Sequence, residues 1–133
     1  MRVARRVLAW ERAPAGSHID ITLLSAPAMR RLNRRATGRR GLTDVIAYAL
    51  PQPDGRLFGD VYICPAAAAR VAPPVPAAPP APHTQRAARR EELIRLAVHG
   101  TLHVLGYDHP EGPGRTRSRM WRLQERYVQK TVR

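Results

Sequence analysis

His99-Gly100-Thr101-Leu102-His103-Val104-Leu105-Gly106-Tyr107-Asp108-His109 carries three of the chain's five histidines, spaced His-x3-His-x5-His. On an α-helix, the first two of these lie one turn apart, about 40° round the axis and about 6 Å along it. Their rings can therefore meet at a single ion. Glycine readily takes the left-handed conformation that ends a helix. Gly106 is placed to do so, which returns His109 from a loop as a third nitrogen ligand. Three imidazoles with one position open describe a catalytic zinc site rather than a closed structural one.

Upstream of the motif and within it, Leu93, Ile94, Leu96, Ala97, Val98, Leu102, Val104 and Leu105 place apolar residues nearly all round a helix expected from about Thr84 to Leu105. Such a helix belongs inside the domain. His99 and His103 would then ride on a buried, rigid element, as fixed ligand geometry requires. One histidine on an apolar helix is most often a core residue with a hydrogen-bond partner. Two at this spacing each need a partner in a poorly solvated place, and a third follows the Gly turn. One zinc ion satisfies all three, although nickel and copper accept the same ligands.

The spacing is that of the zinc-protease signature His-Glu-x-x-His-x-x-Gly-x-x-His, with Gly100 in the place of the general-base glutamate. Peptide hydrolysis needs a base beside the attacking water and an acid for the leaving amine, and glycine is neither. Asp108 is the nearest carboxylate. Two roles stay open for it: base, or hydrogen-bond partner of a ligand histidine.

Charge is the compositional outlier. Against 10 Asp+Glu stand 23 Lys+Arg, almost all arginine, for a net +13. Such a surface attracts polyanions, nucleic acid before acidic membrane; an arginine-favouring genome is the competing explanation. The densest run is Arg30, Arg31, Arg34, Arg35, Arg39 and Arg40. It is either a solvated helix face or a surface for RNA phosphates beside a hydrolytic metal. The few aromatics fall mostly at expected core positions, which favours backbone recognition over base stacking. The lone Cys64 excludes an internal disulfide and a Cys-rich metal site, and reads as a buried thiol. No stretch approaches the roughly 20 apolar residues of a membrane span. The apolar run after the basic N-terminus is too short for a signal-peptide core, so no membrane contact and a cytoplasmic location are expected.

A chain of 133 residues suits one domain, 1–133. Its pattern predicts helix over 2–12, strand over His18–Leu23, and a helix capped by Ser25 whose inner stripe is Ala28, Met29 and Leu32. Val45–Leu50 is apolar on both faces and is expected to be the central strand. Leu57–Cys64 returns as a strand, and 66–71 forms a short helix. The Pro/Ala-rich 73–83 stretch is expected to be a surface loop. A last helix runs from about Arg115 to Val132, with Met120, Leu123 and Tyr127 inward.

On these residues the chain resembles the YbeY family of bacterial rRNA maturation factors. The His99–His109 stretch matches that family's hallmark, preceded in order by Leu32-Asn33, Thr43-Asp44-Val45-Ile46-Ala47-Tyr48 and Gly59-Asp60-Val61-Tyr62-Ile63. The resemblance implies an α+β fold, a small mixed sheet packed with helices, and a zincin-like site with one Zn2+ on His99, His103 and His109. It also implies a single-strand-specific endoribonuclease acting in small-subunit rRNA 3′-end maturation and ribosome quality control, with rRNA and the small subunit as partners. Where the family typically has an aromatic residue and then an arginine, this chain has Ala36 and Thr37. Arg35 or Arg39 is left to supply the guanidinium, and Arg39 joins His99 and Asp108 in the expected catalytic set. The alternative reading is a non-catalytic assembly factor, braced by zinc and binding rRNA through its arginines. A zinc hydrolase of a small molecule or peptide ranks third, disfavoured by the missing glutamate and the charge.

Overall fold

The computed structural model of the protein describes residues 2–69 and 82–133. The expected loop over 73–83 therefore lies almost wholly outside the described residues. Helix α1 (Arg2–Trp10) buries Val3, Ala4, Val7 and Leu8, a stripe with its arginines turned outward. Strand β1 (His18–Leu23) leads into α2 (Ala26–Thr37), whose first turn is capped by the Ser25 hydroxyl accepting from the Ala28 N–H. Strands β2 (Val45–Pro51) and β3 (Leu57–Ile63) form a hairpin, followed by the short α3 (Pro65–Ala68). Helix α4 (Pro82–Val104) carries His99 and His103. A 3₁₀ turn (Pro113–Arg117) then precedes α5 (Arg119–Val132).

The sheet is mixed, in the order β1-β3-β2, with β1 parallel and β2 antiparallel to β3. The fold is thus α+β with a small mixed sheet, as the sequence implies. The expectation that Val45–Leu50 forms the central strand is overturned. β3 is central, because it bonds on both sides, and it buries Gly59, Val61 and Ile63. β2 is an edge whose last three residues are exposed. β2 is the more uniformly apolar sequence and β3 carries Asp60; pairing partners far along the chain, not apolar content, decide which is central.

Helix α4 lies against β3 at a distance set by two glycines. A Cβ on Gly100 would stand 2.5 Å from Val61 Cγ1, and one on Gly59 would stand 2.6 Å from Val104 Cγ1. Around that contact the core gathers Val7, Ile19, Val61, Ile63, Val98, Leu102, Met120 and Val128, all buried. A smaller cluster of Met29, Cys64 and Ala67 lies under α2; Cys64 is a free, buried thiol. α2 also buries Asn33, which its expected stripe omits. The last helix does not start at Arg115. Ser118 takes an extended conformation and its hydroxyl accepts from the Trp121 N–H at 3.1 Å, so the helix begins after it. Among the described residues, no helix is long and apolar enough to cross a membrane.

Candidate metal centre

The motif folds as its spacing predicts. α4 ends at Val104, and Gly106 takes φ +99°, with its N–H bonded to the His103 carbonyl. This turn brings His109 back beside the helix. Ring centroids of His99, His103 and His109 lie 4.6, 5.0 and 5.1 Å apart pairwise. One nitrogen from each lies within 4.8 Å of the others, a group that can hold a metal ion.

Three hydrogen bonds show how the rings are turned. His103 Nδ1 faces the Tyr107 carbonyl at 3.0 Å, and His109 Nδ1 faces the Pro110 carbonyl at 3.1 Å. A carbonyl only accepts, so both Nδ1 atoms carry the proton and both Nε2 atoms present lone pairs. His99 Nδ1 lies 2.6 Å from Gln124 Oε1, in the same sense. His99 Nε2 and His103 Nε2 then face each other at 3.0 Å. Two lone pairs at that separation repel unless a cation lies between them. Nitrogens about 2.0–2.1 Å from one tetrahedral zinc sit roughly 3.3 Å apart, near the observed value. The donor set therefore fits a single zinc-like ion with neutral imidazole ligands.

The environment favours those neutral rings. Burial pushes the pKa of His99 down to about 4, and the positive charges of His103, Arg115 and His109 add to it against the Gln124 hydrogen bond. Burial also lowers His103, with His109 and Arg115 adding and the Tyr107 carbonyl and Asp108 opposing. A consequence for stability follows. Unfolded, His99 takes up a proton near its ordinary 6.5; folded and metal-free, it does so only near 4. Between these values the unfolded chain binds more protons, so stability falls as pH drops from 6.5 towards 4 and levels off below. The loss is about 3 kcal/mol. Urea unfolding of chelator-treated protein at pH 7 and pH 4.5 measures it, with His99→Gln flattening the profile. A wild-type profile as flat as the variant's would contradict the assignment.

A cleft of about 690 Å³ opens beside His103, lined by Asn33, Thr37, Arg39, Arg40, Gly41, Ile46 and Ala47 among others. Of the six arginines singled out in the sequence, Arg39 and Arg40 line this cleft. Arg30, Arg31, Arg34 and Arg35 are exposed on α2 and do not. Asn33 places the arginine loop: its Nδ2 donates to the Gly41 carbonyl at 3.2 Å. Its Oδ1 accepts from the Thr37 hydroxyl, which also reaches the Asn33 carbonyl at 2.8 Å and accepts from the Arg39 N–H at 3.1 Å. Thr37 is thus spent on ending the helix. Asp108 is exposed, and its Oδ1 accepts from the His109 N–H at 2.8 Å. All three Nδ1 atoms are bonded elsewhere, so Asp108 holds none of the rings by that nitrogen.

Sequence reasoning missed Gln124, although a signal for it exists. It falls on the same face of α5 as Met120, Tyr127 and Val128, and a polar residue on a buried face needs a partner. It missed Glu11 as well, whose carboxylate accepts from the Tyr107 hydroxyl at 2.5 Å and also from that of Tyr127. Those bonds join residues far apart in the chain and leave no local pattern.

The family model described as Endoribonuclease YbeY matches residues 1–132. Among curated relatives named Endoribonuclease YbeY, that of Bordetella pertussis is 36% identical over 71% of this chain and 55% of its own length. That of Mycobacterium marinum is 32% identical over 98% of this chain and 72% of its own. That of Thermotoga maritima is 28% identical over 84% and 66%. The chain therefore spans only about half to two-thirds of the length of several relatives it matches. A solution structure of a Thermotoga maritima protein shares the fold, with a TM-score of 0.56 at 24% identity, covering 97% of this chain and 73% of the other.

Proposed function

We propose that this chain, which belongs to the YbeY family, is a zinc-dependent endoribonuclease that cleaves single-stranded RNA in rRNA maturation, with its activity centred on His99, His103 and His109. The observation that carries this reading is the facing pair of Nε2 lone pairs, 3.0 Å apart, beside a cleft lined by Arg39 and Arg40. When bound there, one divalent ion supplies Lewis-acid polarisation of a phosphoryl oxygen and a lowered pKa for water.

The chain's own residues supply the remainder. Arg39 and Arg40 have no ion-pair partner among the described residues, so their guanidinium groups are free to hold a phosphodiester by paired hydrogen bonds and offset charge as it builds on phosphorus. Arg30, Arg31, Arg34 and Arg35 extend the positive surface along α2 and hold the flanking backbone without reading its sequence. Asp108, whose charge reaches His103, is the carboxylate assigned to take the proton from the attacking oxygen, whether of water or of the ribose 2′-hydroxyl. Arg39→Ala with Arg40→Ala is expected to weaken RNA binding and flatten its salt dependence by roughly 1.4 in the log–log slope, with zinc binding unchanged. Fluorescence anisotropy across a salt series measures it.

The test of the function is cleavage of a defined RNA, single-stranded or annealed to its complement, with and without chelator and restored zinc. Cleavage of the single strand alone, abolished by chelator and returned by zinc, is the expected result. A 2′-deoxy nucleotide at the cleaved position stops the reaction only if the neighbouring 2′-hydroxyl is the nucleophile. Thr37, bonded into its own helix where the family carries an arginine, favours a second reading: a non-catalytic assembly factor. Zinc-dependent RNA binding without cleavage would select it.

A further inference from the structure

The orientation of a buried amide decides whether His99 can be a ligand at all. Gln124 is 1% exposed and faces His99 with its oxygen at 2.6 Å. An amide turned over would present N–H instead. The ring would then move its proton to Nε2, pointing it at the place where an ion belongs. Something must hold the amide the right way round.

We propose that Glu125 is a positioning residue for the metal centre, acting through Gln124. The inference rests on the reading of the three histidines as metal ligands. Gln124 Nε2 donates to Glu125 Oε2 at 3.1 Å. An ionised carboxylate only accepts, so the amide nitrogen must face Glu125 and the amide oxygen must face His99. His99 then carries its proton on Nδ1 and offers Nε2 to the ion. The carboxylate is held in place by Arg95 on α4. Arg95 Nε donates to Glu125 Oε2 at 2.9 Å and Nη2 donates to Oε1 at 2.9 Å, while Nη1 reaches Glu92 Oε2 at 2.9 Å. The pair is half-buried. Burial pushes the Glu125 carboxyl up, but the bonds from Arg95 and Gln124 outweigh it and leave it below the usual carboxylate range. The relay runs from an Arg–Glu clamp between two helices, through one amide, to the tautomer of one ligand.

Two measurements on the full chain test this: the His99 tautomer, by ring-nitrogen NMR of metal-free protein, and zinc affinity, by competition with a chelator of known affinity. Glu125→Gln gives position 125 both a donor and an acceptor, so it no longer dictates the Gln124 orientation. It is expected to give a mixed tautomer and zinc binding about 10-fold weaker. Glu92→Gln also loosens the Arg95 clamp but leaves the Glu125 bonds, and is expected to change neither readout. Adding Gln124→Glu to Glu125→Gln puts an acceptor-only group directly against His99 and is expected to restore both. The proposal is overturned if Glu125→Gln keeps a single Nδ1–H tautomer, whether or not affinity falls, or if the double variant restores nothing. A protein that binds no zinc would defeat the metal reading, while the metal-free tautomer would still decide the role of Glu125.

Discussion

Replacing His103 with alanine should abolish both stoichiometric zinc binding and RNA cleavage. Loss of a residue that merely braces a ligand lowers metal affinity or activity by about 10–100-fold; loss of the ligand itself should exceed that range. His103 is the sharpest choice. It is half-buried, lines the cleft and places its Nε2 3.0 Å from that of His99. Its ring fills less of the core than that of His99, so the variant keeps more of its packing. Zinc content by elemental analysis and cleavage of a labelled single strand give the two readouts, with circular dichroism to verify the fold. A folded variant that cleaves as wild type does would remove the histidines from the chemistry.

Gly100→Glu recreates the zinc-protease signature and should unfold the protein rather than make a protease. A Cβ at this position already falls 2.5 Å from Val61 Cγ1, inside the closest approach of real side chains. Overpacking of this kind costs about 1–3 kcal/mol. Burying a carboxylate against valine adds a desolvation penalty of several kcal/mol unless the group protonates. Together they exceed about 3 kcal/mol, a large part of a typical domain's stability. Gly100→Ala separates the terms. Alanine gains about 1 kcal/mol of helix propensity, against the clash, so its net loss is small and should be relieved by Val61→Ala in a double-mutant cycle. Urea unfolding measures the four proteins of the cycle and Gly100→Glu. A Gly100→Glu variant as stable as wild type would show that helix and strand can part without penalty.

This outcome bears on what the sequence made legible. As a string, Gly100 looks like a base that is missing; in the fold it is the point where α4 touches β3. The histidine triad was readable because helical spacing is a local property and Gly106 marks its own turn. Most elements were readable for the same reason, within a residue or two at their ends. The strand order was not: Val45–Leu50 is uniformly apolar while Leu57–Ile63 carries Gly59 and Asp60, and it is pairing with a distant strand that makes the second of them central. Arg39 and Arg40 could be picked out as charges. That they, and not Arg30 or Arg31, line the cleft depends on the Asn33–Gly41 bond, which no periodicity announces.

Glu11 carries a consequence for how the molecule is made. Its carboxylate accepts hydroxyls 96 and 116 positions further along the chain. One of these belongs to Tyr107, whose carbonyl also holds His103. Contacts of such span are the last to repay their loop-closure entropy. A chain emerging from the ribosome can therefore form α1 and the hairpin early, but Glu11 cannot anchor this loop until Tyr107 has been synthesised, and its second hydroxyl waits for Tyr127. The loop that carries His109 thus owes its place to the residue that follows α1 as well as to its own glycine turn.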